Sequence, residues 1–180
     1  VESLTGQLLI AGPAIVDPNF RRTIVLLAQH DEEGAVGVVL NRPAEVTVGE
    51  AAPGLTSLVS PEEPLFVGGP VQPQSAVVLA EFEHPELVDR VAFGSIGFLV
   101  DEDPESVGEI RRARVFAGYA GWGEGQLELE MHEEGSWIVE PAVPEDVFAP
   151  DPGRLWSSVL RRKGGGFEWL STMPFDPGMN

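Results

Sequence analysis

The sequence predicts an α+β fold, and three observations carry that expectation. Its apolar runs are short and rich in β-branched residues, as strands are, and they do not alternate regularly with helices. Only three or four stretches show helical patterning. The 21 glycines and 16 prolines make up about a fifth of the chain, against a usual share of about 12%. With 43% apolar residues, that excess signals many turns between short elements and not disorder. A chain of 180 residues is expected to form one domain over residues 1–180, burying roughly 70% of its unfolded surface. No internal repeat or low-complexity run is present.

Taken in order, Gln7 to Ala11 is an apolar run ended by Gly12-Pro13, which predicts a buried strand. The following AIVDPNF is a loop, because a residue before proline is pushed away from helix. Thr23 to His30 and Ala35 to Asn41 are apolar runs joined by an acidic turn that Gly34 closes, a hairpin signal. Both are apolar at consecutive positions, so the hairpin is expected to be covered on both faces. Thr47 can cap a short helix through Glu50 and Ala52. Strands are expected at Leu65 to Val67, Ala76 to Ala80, Val91 to Phe93 and Ile96 to Val100. Pro104 suits the first turn of a helix reaching about Arg112, and Arg114 to Tyr119 is strand-like.

Gln126 to Glu134 fits two patterns. Leu127, Leu129 and Met131 alternate as in a strand, yet Leu127 and Met131 are also four apart, with acids in the first turn and Gly135 at the end. The helix is preferred. Trp137 to Glu140 is a strand, and Leu155 to Arg162 a helix with basic residues in its last turn and Gly164 beyond it.

Net charge is −18, a field that repels nucleic acid and anionic membranes unless the cations gather in one place. Eight of the 11 Lys and Arg fall in three clusters: Arg21 and Arg22; Arg111, Arg112 and Arg114; Arg161, Arg162 and Lys163. They are taken as solvated or helix-end charges. The absence of cysteine excludes disulfides, thiol catalysis and Cys-ligated zinc, and it favours a cytoplasmic protein. Leu8 to Val16 is too short to span a bilayer, contains Pro13, and has no basic segment before it. A soluble, untargeted protein is expected.

The segment VFAGYAGWGEGQLELEM (115–131) is the most unusual. Glycines before a helix can expose amide hydrogens to an anion, but the Walker spacing and G-x-G-x-x-G are both missing, and Glu124 and Glu128 stand where a phosphate would sit. The preferred role for these glycines is to permit positive φ and close backbone approach, with a small-ligand or partner groove as the alternative. His30, His84 and His132 form no metal-binding pair. Gly94, Ser95 and Gly97 fall one residue short of a nucleophile elbow. Asp17, His30 and Asn41 interrupt apolar segments and are read first as turn and strand-end hydrogen-bonding groups. No catalytic residue, metal or cofactor is expected.

The blocks GQLLIAGPAIVDPNFRRTIVLLAQHDEEGAVGVVLNRP, FVGGPV, VFAGYAGWGEGQLELEM and LWSSVLRRKGG closely resemble the bacterial YqgE/AlgH family. The resemblance runs from Leu4 to the C-terminal MPFDPGMN. It implies an α+β domain whose divided, mostly antiparallel or mixed sheet curls into a barrel-like shape with peripheral helices. It implies no established activity, although some members carry a transcriptional-regulator label. Among the family's motif positions matched here are Asp17, Thr23, His30, Asn41, Gly69, Tyr119, Gly121, Trp122 and Gln126, which together form the candidate binding surface. Where the family usually has a smaller residue between the two acids of its QLE-x-E segment, this chain has Leu129.

Three functional classes follow, in order of preference. The first is a non-catalytic binding or regulatory protein that presents the Gly/Trp loop and the Asp17/His30/Asn41 edge to a small ligand or protein partner. The second is a transcriptional regulator, opposed by the charge and by the missing helix-turn-helix pattern. The third is an enzyme, such as a hydrolase, whose site has no recognisable motif.

Overall fold

The computed structural model describes residues 2–99 and 104–173. Among these residues ten strands are present: β1 (Gln7–Ala11), β2 (Ile24–Asp31), β3 (Gly34–Val39), β4 (Pro43–Thr47), β5 (Pro64–Val67), β6 (Val71–Phe82), β7 (Arg90–Phe93), β8 (Ile96–Leu99), β9 (Ile110–Trp122) and β10 (Trp137–Pro141). The α-helices are α1 (Val48–Ala51), α2 (Gln126–Met131), α3 (Pro144–Val147) and α4 (Leu155–Lys163). Strands outnumber helices because most apolar runs are too short to make several helical turns.

The main path of the sheet runs β10-β1-β2-β3-β9-β6-β8-β7, with β5 pairing both β4 and β9. Every pairing is antiparallel except β5 with β9. The division of the sheet occurs on β9. One edge of this 13-residue strand pairs with β5 at Phe116 and Ala117, then with β3 at Ala120 to Trp122. Gly118 makes the change of partner, with φ of 75°. A Cβ there would lie 2.5 Å from the Gly69 carbonyl oxygen and 2.9 Å from that of Val71, so two chain segments meet where a side chain would separate them.

The sheet does not close into a barrel, which corrects the barrel-like expectation. Its end strands β10 and β7 are not hydrogen-bonded to one another. The outer edge of β10 is instead taken by side chains of α4. Lys163 Nζ donates to the Val139 carbonyl at 2.8 Å, and Arg162 Nη2 donates to that of Pro141 at 3.2 Å. An edge whose acceptors are filled offers no ladder to another strand.

The β2–β3 hairpin is covered on both faces, as its consecutive apolar residues predict. On one face Leu8, Ile10, Ile24, Leu26, Val38 and Leu40 pack with Phe66, Leu79, Phe116 and the α4 residues Trp156, Val159 and Leu160. On the other, Leu9, Val25, Leu27, Ala35 and Val39 pack with Trp122, Trp137 and Leu127 of α2. A capped turn is confirmed at Thr47, whose side chain accepts from the Glu50 amide.

One predicted helix is wrong. Pro104–Val107 is a single 3₁₀ turn, and β9 begins at Ile110. Gly108, with φ of 76°, breaks the turn. Cross-strand ion pairs then commit the basic segment to β6: Arg111 bonds Glu83, and Arg112 meets Glu81 at 3.2 Å. The start of β6, all of β4 and α3 were not anticipated. Among the described residues, no helix is long and apolar enough to cross a membrane.

Candidate ligand-binding cleft

The preferred helical reading of Gln126 onward is correct, although the helix ends at Met131 and not at Glu134. Gly125, with a left-handed φ of 71°, turns the chain out of β9 and into α2. Within that turn Gln126 Oε1 accepts the Gly123 amide at 3.0 Å, while its Nε2 donates to Glu130 Oε2 at 3.0 Å, one helical turn on.

Glu130 is the hub of the site. Its Oε1 accepts both the Trp122 indole N–H at 3.3 Å and the Trp137 indole N–H at 3.1 Å. The two indoles come from different strands, Trp122 in register with Ala35 and Trp137 with Ala11. Phe20 completes the group, with ring centroids 6.0 Å from Trp122 and 5.9 Å from Trp137. The indoles lie 6.0 Å apart, edge to face, the favoured geometry of aromatic quadrupoles. Phe20 is delivered by a local turn in which Asp17 Oδ1 accepts the Asn19 amide at 2.8 Å and the Asp17 carbonyl accepts the amides of Phe20 and Arg21.

These residues line a cleft of about 310 Å³ between the loop at residues 14–20 and the β9–α2 turn. Four candidate residues reach it: Asp17, Gly121, Trp122 and Gln126. Glu130 and Trp137 were missed. Glu130 was hidden among 29 acids, although its i,i+4 spacing from Gln126 was an available signal. Trp137 read only as a core residue of a strand.

The other candidates lie elsewhere. Thr23 is fully buried, its hydroxyl donating to the Phe20 carbonyl at 2.6 Å, so it anchors the loop from beneath. Asn41 accepts the Ile24 amide and donates to the Arg22 carbonyl, both at 2.9 Å, at the opposite end of the hairpin from His30. Six strand residues, about 20 Å at ~3.4 Å each, separate those ends, so Asp17, His30 and Asn41 do not form one edge. Gly69 packs against the Tyr119 backbone, and Tyr119 lines a different cavity. Gly121 neither bends the chain nor touches a neighbouring main chain, since the nearest atom to a Cβ there is a Val71 methyl at 3.9 Å.

His30 is a buried clamp. The Leu4 amide donates to its Nδ1 at 3.0 Å, which leaves the proton on Nε2 to be donated to Glu128 Oε1 at 2.5 Å. Its own amide donates to Thr5 Oγ1. The ring thus ties the N-terminal segment and α2 to β2. That hydrogen bond from His30, with smaller help from a backbone amide, holds the Glu128 carboxyl below its ordinary range.

Two of the basic clusters converge on α3 through acids. Arg112 also meets Glu145 at 3.4 Å, and Arg162 holds Asp146 with two bonds of 2.8 Å. Among the described residues, no three or more His, Asp or Glu side chains are grouped to hold a metal ion.

An open, mostly antiparallel sheet with short peripheral helices defines an α+β protein. The profile of the AlgH-like family matches residues 8–168, and the chain belongs to that family. It is 46% identical to the UPF0301 protein SCO2948 of Streptomyces coelicolor, over all of this chain and 97% of that protein. With the UPF0301 protein of Thermobifida fusca the identity is 41%, over 99% of this chain and 96% of that one. Among solved structures, protein DIP2367 of Corynebacterium diphtheriae superposes with a TM-score of 0.84 at 31% identity, covering 96% of this chain and 93% of that one. The AlgH protein of Pseudomonas aeruginosa gives 0.71 at 30% identity, covering 96% and 95%.

Proposed function

We propose that this is a non-catalytic binding protein whose cleft at the Gly/Trp loop receives a cationic group of a small ligand. One observation carries the reading: the cleft presents three aromatic side chains and the carboxylates of Asp17 and Glu130, and no basic residue lines it. Ring faces and carboxylates both attract cations, the rings by about 0.5–2 kcal/mol each. A net charge of −18 concentrates cations around the protein as a whole. The indole N–H groups are already bound to Glu130, so the small part of each tryptophan that reaches the cleft offers ring surface and not donors. The lack of cysteine fits a cytoplasmic setting. The regulator reading gains no comparable support, because Arg111, Arg112 and Arg162 are engaged by carboxylates.

The test is titration of the ¹⁵N-labelled protein with n-butylammonium and, separately, with n-butanol. The cation is expected to shift the indole N–H signals of Trp122 and Trp137, and the alcohol to do so far less. Asp17→Asn keeps the turn acceptor and removes the charge, and should weaken butylammonium by about five-fold, the value of one exposed charge at close range. Equal responses to cation and alcohol would refute the reading.

A further inference from the structure

On the other face of the sheet, a second cavity of about 400 Å³ opens where β7 and β8 come over β2 and β3. Its apolar lining is Ala28, Val36, Val38, Val77, Val91 and Phe98, and its polar lining Thr5, Gln29, Arg90 and Tyr119. We infer that this cavity is a binding site for a small apolar carboxylate, its hydrocarbon body against the valines and its carboxylate on Arg90.

Size and lining come first. The volume falls within the range of small-ligand pockets, and such pockets combine apolar walls with a few polar groups that orient the ligand. Val36 and Val91 are 37% and 39% exposed at its mouth, so apolar surface stands open to solvent on a concave face.

Charge then selects the ligand. Arg90 is the one charged residue lining the cavity, and no carboxylate lines it. The chain has 29 acids for 11 bases, and its other arginines are largely engaged: Arg111, Arg112, Arg154 and Arg162 by acids, Arg42 and Arg114 by carbonyls. Among the described residues, Arg90 has neither a hydrogen-bond nor an ion-pair partner, and the Tyr119 hydroxyl has no hydrogen bond. An unpaired guanidinium offers only donors, and a carboxylate takes two of them in bidentate fashion. The electrostatic preference is thus opposite to that of the aromatic cleft, and neither site depends on the other for its test.

The experiment uses octanoate and 1-octanol as probes on the intact chain, below their aggregation concentrations, followed by amide chemical shifts. Octanoate should perturb Val36, Val38, Val77 and Phe98 and bind about ten-fold more tightly than octanol. Arg90→Gln, at an exposed and unpartnered position, should remove that advantage while leaving octanol binding unchanged. Val36→Trp should block both. If Val36→Trp fails to fold, Arg90→Gln alone decides. The inference is overturned by equal binding of the two probes, by octanoate affinity unchanged in Arg90→Gln, by shifts confined to another region, or by no binding up to about a millimolar, where a ligand of this size should still register.

Discussion

Replacing Glu130 with alanine tests the construction of the aromatic cleft. Trp122 and Trp137 are only 6% and 7% exposed, so removing their shared acceptor leaves two largely buried indole N–H groups without a partner. Each such orphan costs about 1–3 kcal/mol. Water can enter from the open cleft and recover part of this, so the lower half of the range applies to each, giving about 2–3 kcal/mol in total. For a chain of this length the corresponding fall in melting temperature is about 4–12 °C. Glu130→Gln separates acceptor from charge. Its amide oxygen can still accept both indoles, while its NH₂ now opposes that of Gln126, so the cost should be about 1 kcal/mol. Urea denaturation followed by far-UV circular dichroism measures both, with the indole signals reporting on the site. Glu130→Ala within about 0.5 kcal/mol of the parent, the ordinary range for surface substitutions, would show that the indole bonds do not organise the cleft. Equal losses for the two variants would show that charge matters, and not acceptance.

Two further outcomes follow from the same geometry. Gly118→Ala should destabilise the fold by more than about 2 kcal/mol, since positive φ and backbone contact act together, whereas Gly121→Ala should stay within about 0.5 kcal/mol; paired thermal melts decide between them, and similar losses would refute the assignment of roles. The Glu128 carboxyl has a folded pKa held below its unfolded value by His30, so its contribution is complete above the ordinary carboxylate range near 4.5 and is lost as pH falls through the folded value. Glu128→Gln should therefore narrow its stability gap from the parent as acid is added below about pH 4.5, and a gap that is constant or widens there would contradict the pairing.

The hairpin was legible because its signals are local: two consecutive apolar runs, an acidic turn and Gly34. The basic segment at 110–114 misled for the opposite reason. Pro104 and three arginines suit a helix, while the residues that make it a strand, Glu81 and Glu83, lie about 30 positions away. The site divided along the same line. Asp17 and the Gly/Trp loop stood out by composition, but Glu130 acquires its role only through two tryptophans from separate strands. The separation of His30 from Asn41 followed from the hairpin itself, since a turn at residues 32 and 33 places them at opposite ends. The role expected of the loop glycines holds at Gly118 and Gly125, which take positive φ, and Gly118 also makes the close backbone approach. Gly121 does neither, and nothing within the loop's own sequence distinguishes it from the other two.

The pairing of β1 with β10 has a consequence for synthesis. When the hairpin leaves the ribosome, both of its faces are apolar and neither has its cover. One face waits for Trp122, Leu127 and Trp137, and the other for Phe116 and α4. Roughly 100 residues must still be made before β10 can dock, about 5–20 s at ordinary elongation rates. Hairpins form in microseconds, so a sticky two-faced ribbon persists for most of translation. Slowing its elongation should therefore raise aggregation more than it would for a protein whose contacts are made in order along the chain.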